Sequence, residues 1–349
     1  MGRDSGPGSR VRSIGNLAGN PLMESGVLRG LRRLGYAALA LAFGQIVFGA
    51  IVRITGSGMG CGDDWPKCAG AWFPPLERPD LIIEITHRYI ALGLSIAVLA
   101  LLILAFMQRA HPAVRARGIL LPSALSAVLV VTAALLGAVT VKLGLNPFVI
   151  VAHLTIAMTL LATLTLVAFR STDPGRSEGS RGGASPMSAN ASFGISDGRT
   201  NRAARIAVGV ALFTLVMGAL TANLPGAASS CGGFPWCRTV NGGGSGLGVH
   251  IVHRVAAFLL LGHLWGVSRA VRKRGEPRAI VTAARFAFWT VVAQILVAAA
   301  MIEMRFPPVL RSLHQATGTL VWLAVVILAC VSAKTPGHDA SALDHRAAA

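Results

Sequence analysis

Long apolar stretches alternate with short polar ones along most of the chain. The apolar runs fall at roughly 34–54, 88–107, 119–141, 148–169, 204–223, 251–270, 280–302 and 309–332. Each is close to the length that an α-helix needs to cross a hydrocarbon layer about 30 Å thick. A soluble core would need shorter, periodic apolar segments. The pattern predicts an all-α integral membrane protein with eight transmembrane helices. Residues 1–33 are expected to form a disordered cytoplasmic tail. Their first 25 residues, rich in Gly, Ser and Arg, show neither the apolar core nor the small-residue cleavage site of a signal peptide. Residues 170–203 are low-complexity Gly, Ser, Ala and Arg with almost no large apolar side chain, and are expected to be a flexible cytoplasmic linker. Residues 333–349 form a second cytoplasmic tail.

The linker divides the runs into two sets of four, at 34–169 and 204–332, and the two sets repeat each other. After the first run of each comes a loop with two cysteines, Cys61 and Cys68 in one set, Cys231 and Cys237 in the other. Each loop ends Pro-x-Cys, and the next run opens with His-Arg: His87-Arg88 and His253-Arg254. The last run of each set opens with a further histidine, His153 or His314. The intervals from first to second histidine are 66 and 61 residues. A repeat that preserves cysteines, histidines and span order predicts two pseudo-symmetric four-helix bundles.

Charge settles the expected orientation. The net charge is +18, and only 13% of residues are charged against 53% hydrophobic. With the N-terminus inside, 22 Lys and Arg fall in cytoplasmic segments and six in external ones: Lys67, Arg78, Lys142, Arg238, Arg305 and Arg311. That bias is the positive-inside rule. It explains the basic composition as topology and removes nucleic acid as a partner. Both termini are then cytoplasmic and both cysteine loops extracytoplasmic, a compartment that favours disulfides Cys61–Cys68 and Cys231–Cys237. A redox-active thiol pair stays open as the alternative. Cys330, in the last run, reads as a packing residue.

Ionisable residues within membrane spans are costly and usually functional. His87, His153, His253 and His314 all lie at the external ends of the even-numbered spans, and within each half the second and fourth helices run in the same direction. Two neutral imidazoles facing each other across a bundle are the usual axial ligands of a six-coordinate haem iron. Zinc or a di-iron site would want clustered carboxylates or cysteines, and only Glu84 is near. Arg88 and Arg254 are candidates to hold haem propionates, or else simply anchor the helix ends. His263, mid-span and without a counterpart, reads as a hydrogen-bonded packing residue. The halves differ three residues before the first ligand, where one has Glu84 and the other His250. An i, i+3 pair shares a helix face, so Glu84 is expected beside the haem of His87, suited to proton transfer; the alternative is an interface carboxylate paired with Arg88 or Arg53. The first loop, with Asp63, Asp64, Trp65 and Trp72, is longer and richer, a possible cap over a site for chemistry.

The segment FGAIVRITGSGMGCGDDWPKC followed by EITHR, with the repeated Cys-pair, His-Arg, His arrangement, resembles the haem A synthase family over about residues 34–332. The resemblance implies an oxidoreductase that converts the C8 methyl of haem O to a formyl group by two successive hydroxylations and loss of water, for cytochrome oxidase assembly. It implies substrate haem on His87 and His153, catalytic Glu84, and a haem B cofactor on His253 and His314. It also implies a place in the cell membrane, and a haem O synthase and cytochrome oxidase assembly factors as partners; a homo-oligomer is compatible. No departure occurs at these positions, while Asp63-Asp64 and the long linker are local elaborations. A b-type di-haem electron carrier and a haem exporter or chaperone are the competing readings.

Overall fold

The computed structural model describes residues 21–172, 198–240 and 244–333. Its long helices are α1 (Pro21–Ile54), α2 (Pro79–Met107), α4 (Leu120–Lys142), α5 (Pro147–Arg170), α6 (Gly198–Asn223), α7 (Ser245–Lys273), α8 (Arg278–Glu303) and α9 (Pro308–Ser332); α3 is a short turn at Pro112–Ala116. All eight long helices have the length and apolarity to cross a membrane. This is a multi-pass, all-α membrane protein. The only strands among the described residues are the two-residue β1 (Cys231–Gly232) and β2 (Thr239–Val240), paired antiparallel within the second cysteine loop.

Several helix starts follow from local chemistry. Pro79, Pro147 and Pro308 sit in first turns, where a missing N–H costs nothing. Asp80 adds a negative charge at the positive end of α2. The Asn146 side chain accepts from Phe148 N at 3.0 Å and caps α5. Starting α2 at Pro79 rather than at residue 88 puts Glu84, His87 and Arg88 on one rigid helix.

In the first half α1 packs on α2 and α5, and α4 packs on α2 and α5, so α2 and α5 face each other diagonally. The second half repeats this: α6 and α8 each contact α7 and α9, leaving α7 and α9 diagonal. The halves join where α5 and α9 meet each other, flanked by α1 on α9 and α6 on α5. Trp322 Nε1 donates to the Met158 carbonyl at 2.8 Å across that seam. Fully buried alanines such as Ala38, Ala207, Ala284 and Ala324 let the backbones approach, as membrane helix packing requires. Outward, Leu92, Ile96, Leu99 and Ile103 on α2 and Leu121, Leu125, Val128 and Leu135 on α4 form exposed stripes at helical spacing. In water such stripes would drive aggregation. In a bilayer they are solvated.

Two boundaries depart from the sequence reading. The tail expected over 1–33 is helical from Pro21, because Leu28 and Leu31 are buried in the bundle despite the neighbouring arginines. The linker expected over 170–203 gives way to α6 at Gly198, held by polar contacts: Thr200 Oγ1 donates to Glu276 at 2.5 Å, and Asn201 Nδ2 to the Ser332 carbonyl at 3.1 Å. The rest of these segments and residues 334–349 lie outside the described residues, apart from 170–172, which close α5.

Candidate functional site

The diagonal helix pairs carry the four histidines. His87 on α2 and His153 on α5 lie within electrostatic reach of each other, as do His253 on α7 and His314 on α9. Each half therefore brings together its expected pair and keeps it apart from the other pair.

The hydrogen bonds show which imidazole nitrogens are available. His253 Nδ1 lies 2.9 Å from the Thr214 carbonyl, which can only accept. Nδ1 therefore carries the proton, and Nε2 keeps its lone pair; a backbone acceptor behind a ligating histidine orients it in this way. The Gln45 amide nitrogen approaches His87 Nε2 at 3.2 Å and donates to the His87 carbonyl at 2.9 Å, so a lone pair of that ring points at a donor. Gln294 repeats the arrangement at His314, 3.0 Å from its carbonyl and 3.1 Å from Nδ1. Thr317 holds the Gln294 side chain in turn. The His87 Nδ1 atom is buried without a hydrogen-bond partner among the described residues, and His153 turns toward the Ala133 carbonyl. Buried neutral-type imidazoles on facing helices are residues that would hold a haem iron, one pair in each half. Among the described residues no three His, Cys, Asp or Glu side chains converge as a metal site of another type.

Glycines give these rings room. A Cβ at Gly218 would stand 2.6 Å from His253 Cε1, and one at Gly49 2.9 Å from His87 Cε1. Both glycines lie on the first helix of their half, against the second. Gly218→Ala is expected to displace the His253 ring and weaken haem binding about 10–100-fold, the range typical for outer-shell losses. Haem titration of the apo-protein measures this. Gly209→Ala, on the same helix with open space around it, is the control.

Just outside each pair lies a clamp on the cysteine loop. Both cysteine pairs are disulfide-bonded. Arg88 Nη1 donates to the carbonyls of Asp64 at 2.7 Å and Lys67 at 2.5 Å, and Arg254 donates to those of Gly233 at 2.8 Å and Cys231 at 2.9 Å. Arg88 and Arg254, candidates either for propionates or for anchoring the helix ends, are thus directed at the loops. Glu84, buried to 3% exposure, accepts from Cys61 N at 2.9 Å through one oxygen and from Arg88 at 2.5 Å through the other. Gly60 permits this: a Cβ there would lie 2.9 Å from the Asp80 carbonyl. His250 occupies the matching place, its Nδ1 donating to the Ala227 carbonyl at 3.0 Å and its Nε2 accepting from Arg254 at 3.2 Å. The two clamps differ in charge. Glu84 forms an ion pair with Arg88, whereas Arg254 meets no carboxylate among the described residues.

The first loop is further held by Tyr89, whose hydroxyl donates to the Trp72 carbonyl, and Asp64 accepts from Gly70 N at 2.8 Å. The second is tied to the end of α8 by Glu303, which pairs with Arg238 and accepts from Phe234 N at 3.0 Å. His263 donates to the Ala203 carbonyl at 2.9 Å, and Cys330 is a buried free thiol. Gln45, Gln294, Thr214 and the two glycines were not singled out from sequence. The glutamines carry the stronger signal, as rare amides within otherwise apolar spans.

Residues 32–326 match the family described as COX15-CtaA, cytochrome oxidase assembly protein. Among curated proteins the chain is 31% identical over 249 residues to a haem A synthase of Bacillus licheniformis, covering 70% of this chain and 75% of that protein. A haem A synthase of Shouchella clausii is 26% identical over 239 residues, 66% of this chain and 73% of that one. One of Geobacillus kaustophilus is 39% identical over a shorter stretch of 129 residues, 37% of this chain and 39% of that protein.

Proposed function

The chain belongs to the COX15-CtaA family of cytochrome oxidase assembly proteins, and from that premise we propose that it is a haem A synthase, an oxidoreductase acting on the C8 methyl of haem O. The methyl is hydroxylated twice, each step removing two electrons that an acceptor outside the chain takes up, and the hydrated aldehyde loses water to give the formyl group of haem A. The N-terminal half takes the substrate, with His87 and His153 as axial ligands. The C-terminal half takes haem B on His253 and His314. Bound haem B supplies one-electron chemistry; the residues around it set where that electron is most stable.

The observation that carries this division is the charge difference between otherwise matched clamps. Arg254, facing neutral His250, makes the C-terminal site more positive than the Arg88–Glu84 site. Positive charge would favour the reduced form of a haem held there, so Arg254 would set the C-terminal site apart from the N-terminal one. Carbon oxidation also releases protons, and Glu84 is the carboxylate within a turn of His87. In this proposal it holds and passes protons at its carboxylate oxygens, beneath the disulfide loop that it anchors through Cys61 N.

Pigment extracted from the purified chain tests the assignment. Haem B accompanied by haem O or haem A is expected when haem O is supplied. Two haem B per chain, whatever the supply, would favour the electron carrier. The proposed orientation puts both loops outside the cell membrane, with the termini inside. Cys61, Cys68, Cys231 and Cys237 should then resist thiol reagents on intact cells until a reductant is added; labelling without reductant would contradict that arrangement.

A further inference from the structure

If Arg88 and Arg254 are directed at loop carbonyls, the propionate groups of the haems need other partners. One cationic pair lies about one helical turn outside the two histidine pairs. Arg53 lies in the last turn of α1 and Arg311 in the first turns of α9, two helices that pack on each other at the seam; both side chains are partly buried, and their like charges interact unfavourably. Neither meets a carboxylate within salt-bridge distance among the described residues. Three external acids are paired elsewhere, Asp80 with Arg78, Glu84 with Arg88 and Glu303 with Arg238. Two like charges at the ends of membrane spans, side by side and without a counter-ion, are costly unless an anion joins them.

Their register relates the pair to both haem sites. Arg53 follows Gly49, the residue against His87, by four positions, so it lies on the same face about one turn outside the first site. Arg311 precedes His314 by three and lies one turn outside the second. Arg53 Nη1 also reaches the Ala222 carbonyl at 3.4 Å. Ala222 follows Gly218 by four, as Arg53 follows Gly49, so the two are counterparts in the repeat. A residue touching its own counterpart lies near the pseudo-twofold axis, between the halves.

We propose that Arg53 and Arg311 form a shared carboxylate seat at the seam, receiving propionate groups of the bound haems and fixing the two haems relative to each other. The inference rests on the haem assignment above. It adds an anion site that belongs to neither half alone. Guanidinium suits the task, since its fork of donors matches a carboxylate. A phospholipid phosphate offers the same anionic chemistry from the external leaflet, and the test separates the two sources.

Apo-protein is titrated with haem B and with haem B dimethyl ester, whose propionates carry no charge. The wild-type chain is expected to bind the free acid about ten- to a hundredfold more tightly, as charged hydrogen bonds typically provide. Arg53→Gln and Arg311→Gln should each reduce that preference and lower the midpoint potential of the bound haem; Arg53→Lys should restore part of both. The ester comparison on wild-type chain needs no variant to fold. Equal affinity for acid and ester, or unchanged potentials in both Gln variants, overturns the seat. So does a preference for anionic over neutral lipid in the stability of the apo-protein that both Gln variants abolish while haem binding stays unchanged. Failure of the wild-type chain to bind any haem would overturn the proposed function itself, whereas haem bound without regard to its propionates overturns this inference alone.

Discussion

Glu84→Gln is expected to cut conversion of haem O by about 10²–10⁴-fold, the usual cost of losing a positioned acid–base group. The choice of glutamine matters, because Glu84 has two visible tasks. One oxygen accepts from Cys61 N and anchors the loop; the other pairs with Arg88. An amide oxygen still accepts from Cys61 N, but the side chain no longer exchanges protons near neutral pH. If Glu84 only anchors the loop, Glu84→Gln should retain most activity and Glu84→Ala lose it. If Glu84 moves protons, both variants should accumulate haem O or a hydroxylated intermediate to a similar extent. Extracted pigment reads this directly, and haem content shows that binding has survived. His250→Ala is the matched control: it loosens the second loop from Ala227 and Arg254, and is expected to leave conversion much less affected.

His253→Ala and His314→Ala are each expected to remove the haem B absorbance while the chain still inserts. Loss of an axial ligand should cost more than the roughly 10–100-fold typical of outer-shell changes. His87→Ala and His153→Ala should leave haem B in place and abolish haem O binding. Because the pairs lie in separate bundles joined only along the seam, the two sets of effects should be independent. Optical spectra with pyridine extraction distinguish them. A full six-coordinate haem B spectrum in His253→Ala would move the cofactor out of the C-terminal half.

Much of this was legible in the sequence because membrane spans announce themselves by length, and because a repeat shows the same residue twice. The shared depth of His87 and His153 followed from span order, since helices two and four of a four-helix set run parallel; their diagonal placement came from the packing. The Cys61–Cys68 and Cys231–Cys237 bonds followed from topology. What sequence could not supply was direction. Arg88 and Arg254 look equally able to turn toward a haem or toward a loop, and only the folded loop brings the Asp64, Lys67, Gly233 and Cys231 carbonyls within reach. The i, i+3 spacing put Glu84 on the His87 face, yet its oxygens turn to Cys61 N and Arg88. The helical start at Pro21 was masked by arginines whose neighbours Leu28 and Leu31 pack inward. Arg53 and Arg311 are 258 residues apart, and no local pattern joins them.

The central claim is that this chain oxidises haem O rather than merely carrying haem. The most direct measurement is made in membranes that contain haem O and no other source of haem A. With the chain produced there, haem A is expected in the extracted pigment, and it should be lost in Glu84→Gln while haem B stays bound. Haem O that remains unconverted in the presence of correctly inserted, haem-loaded chain would contradict the account.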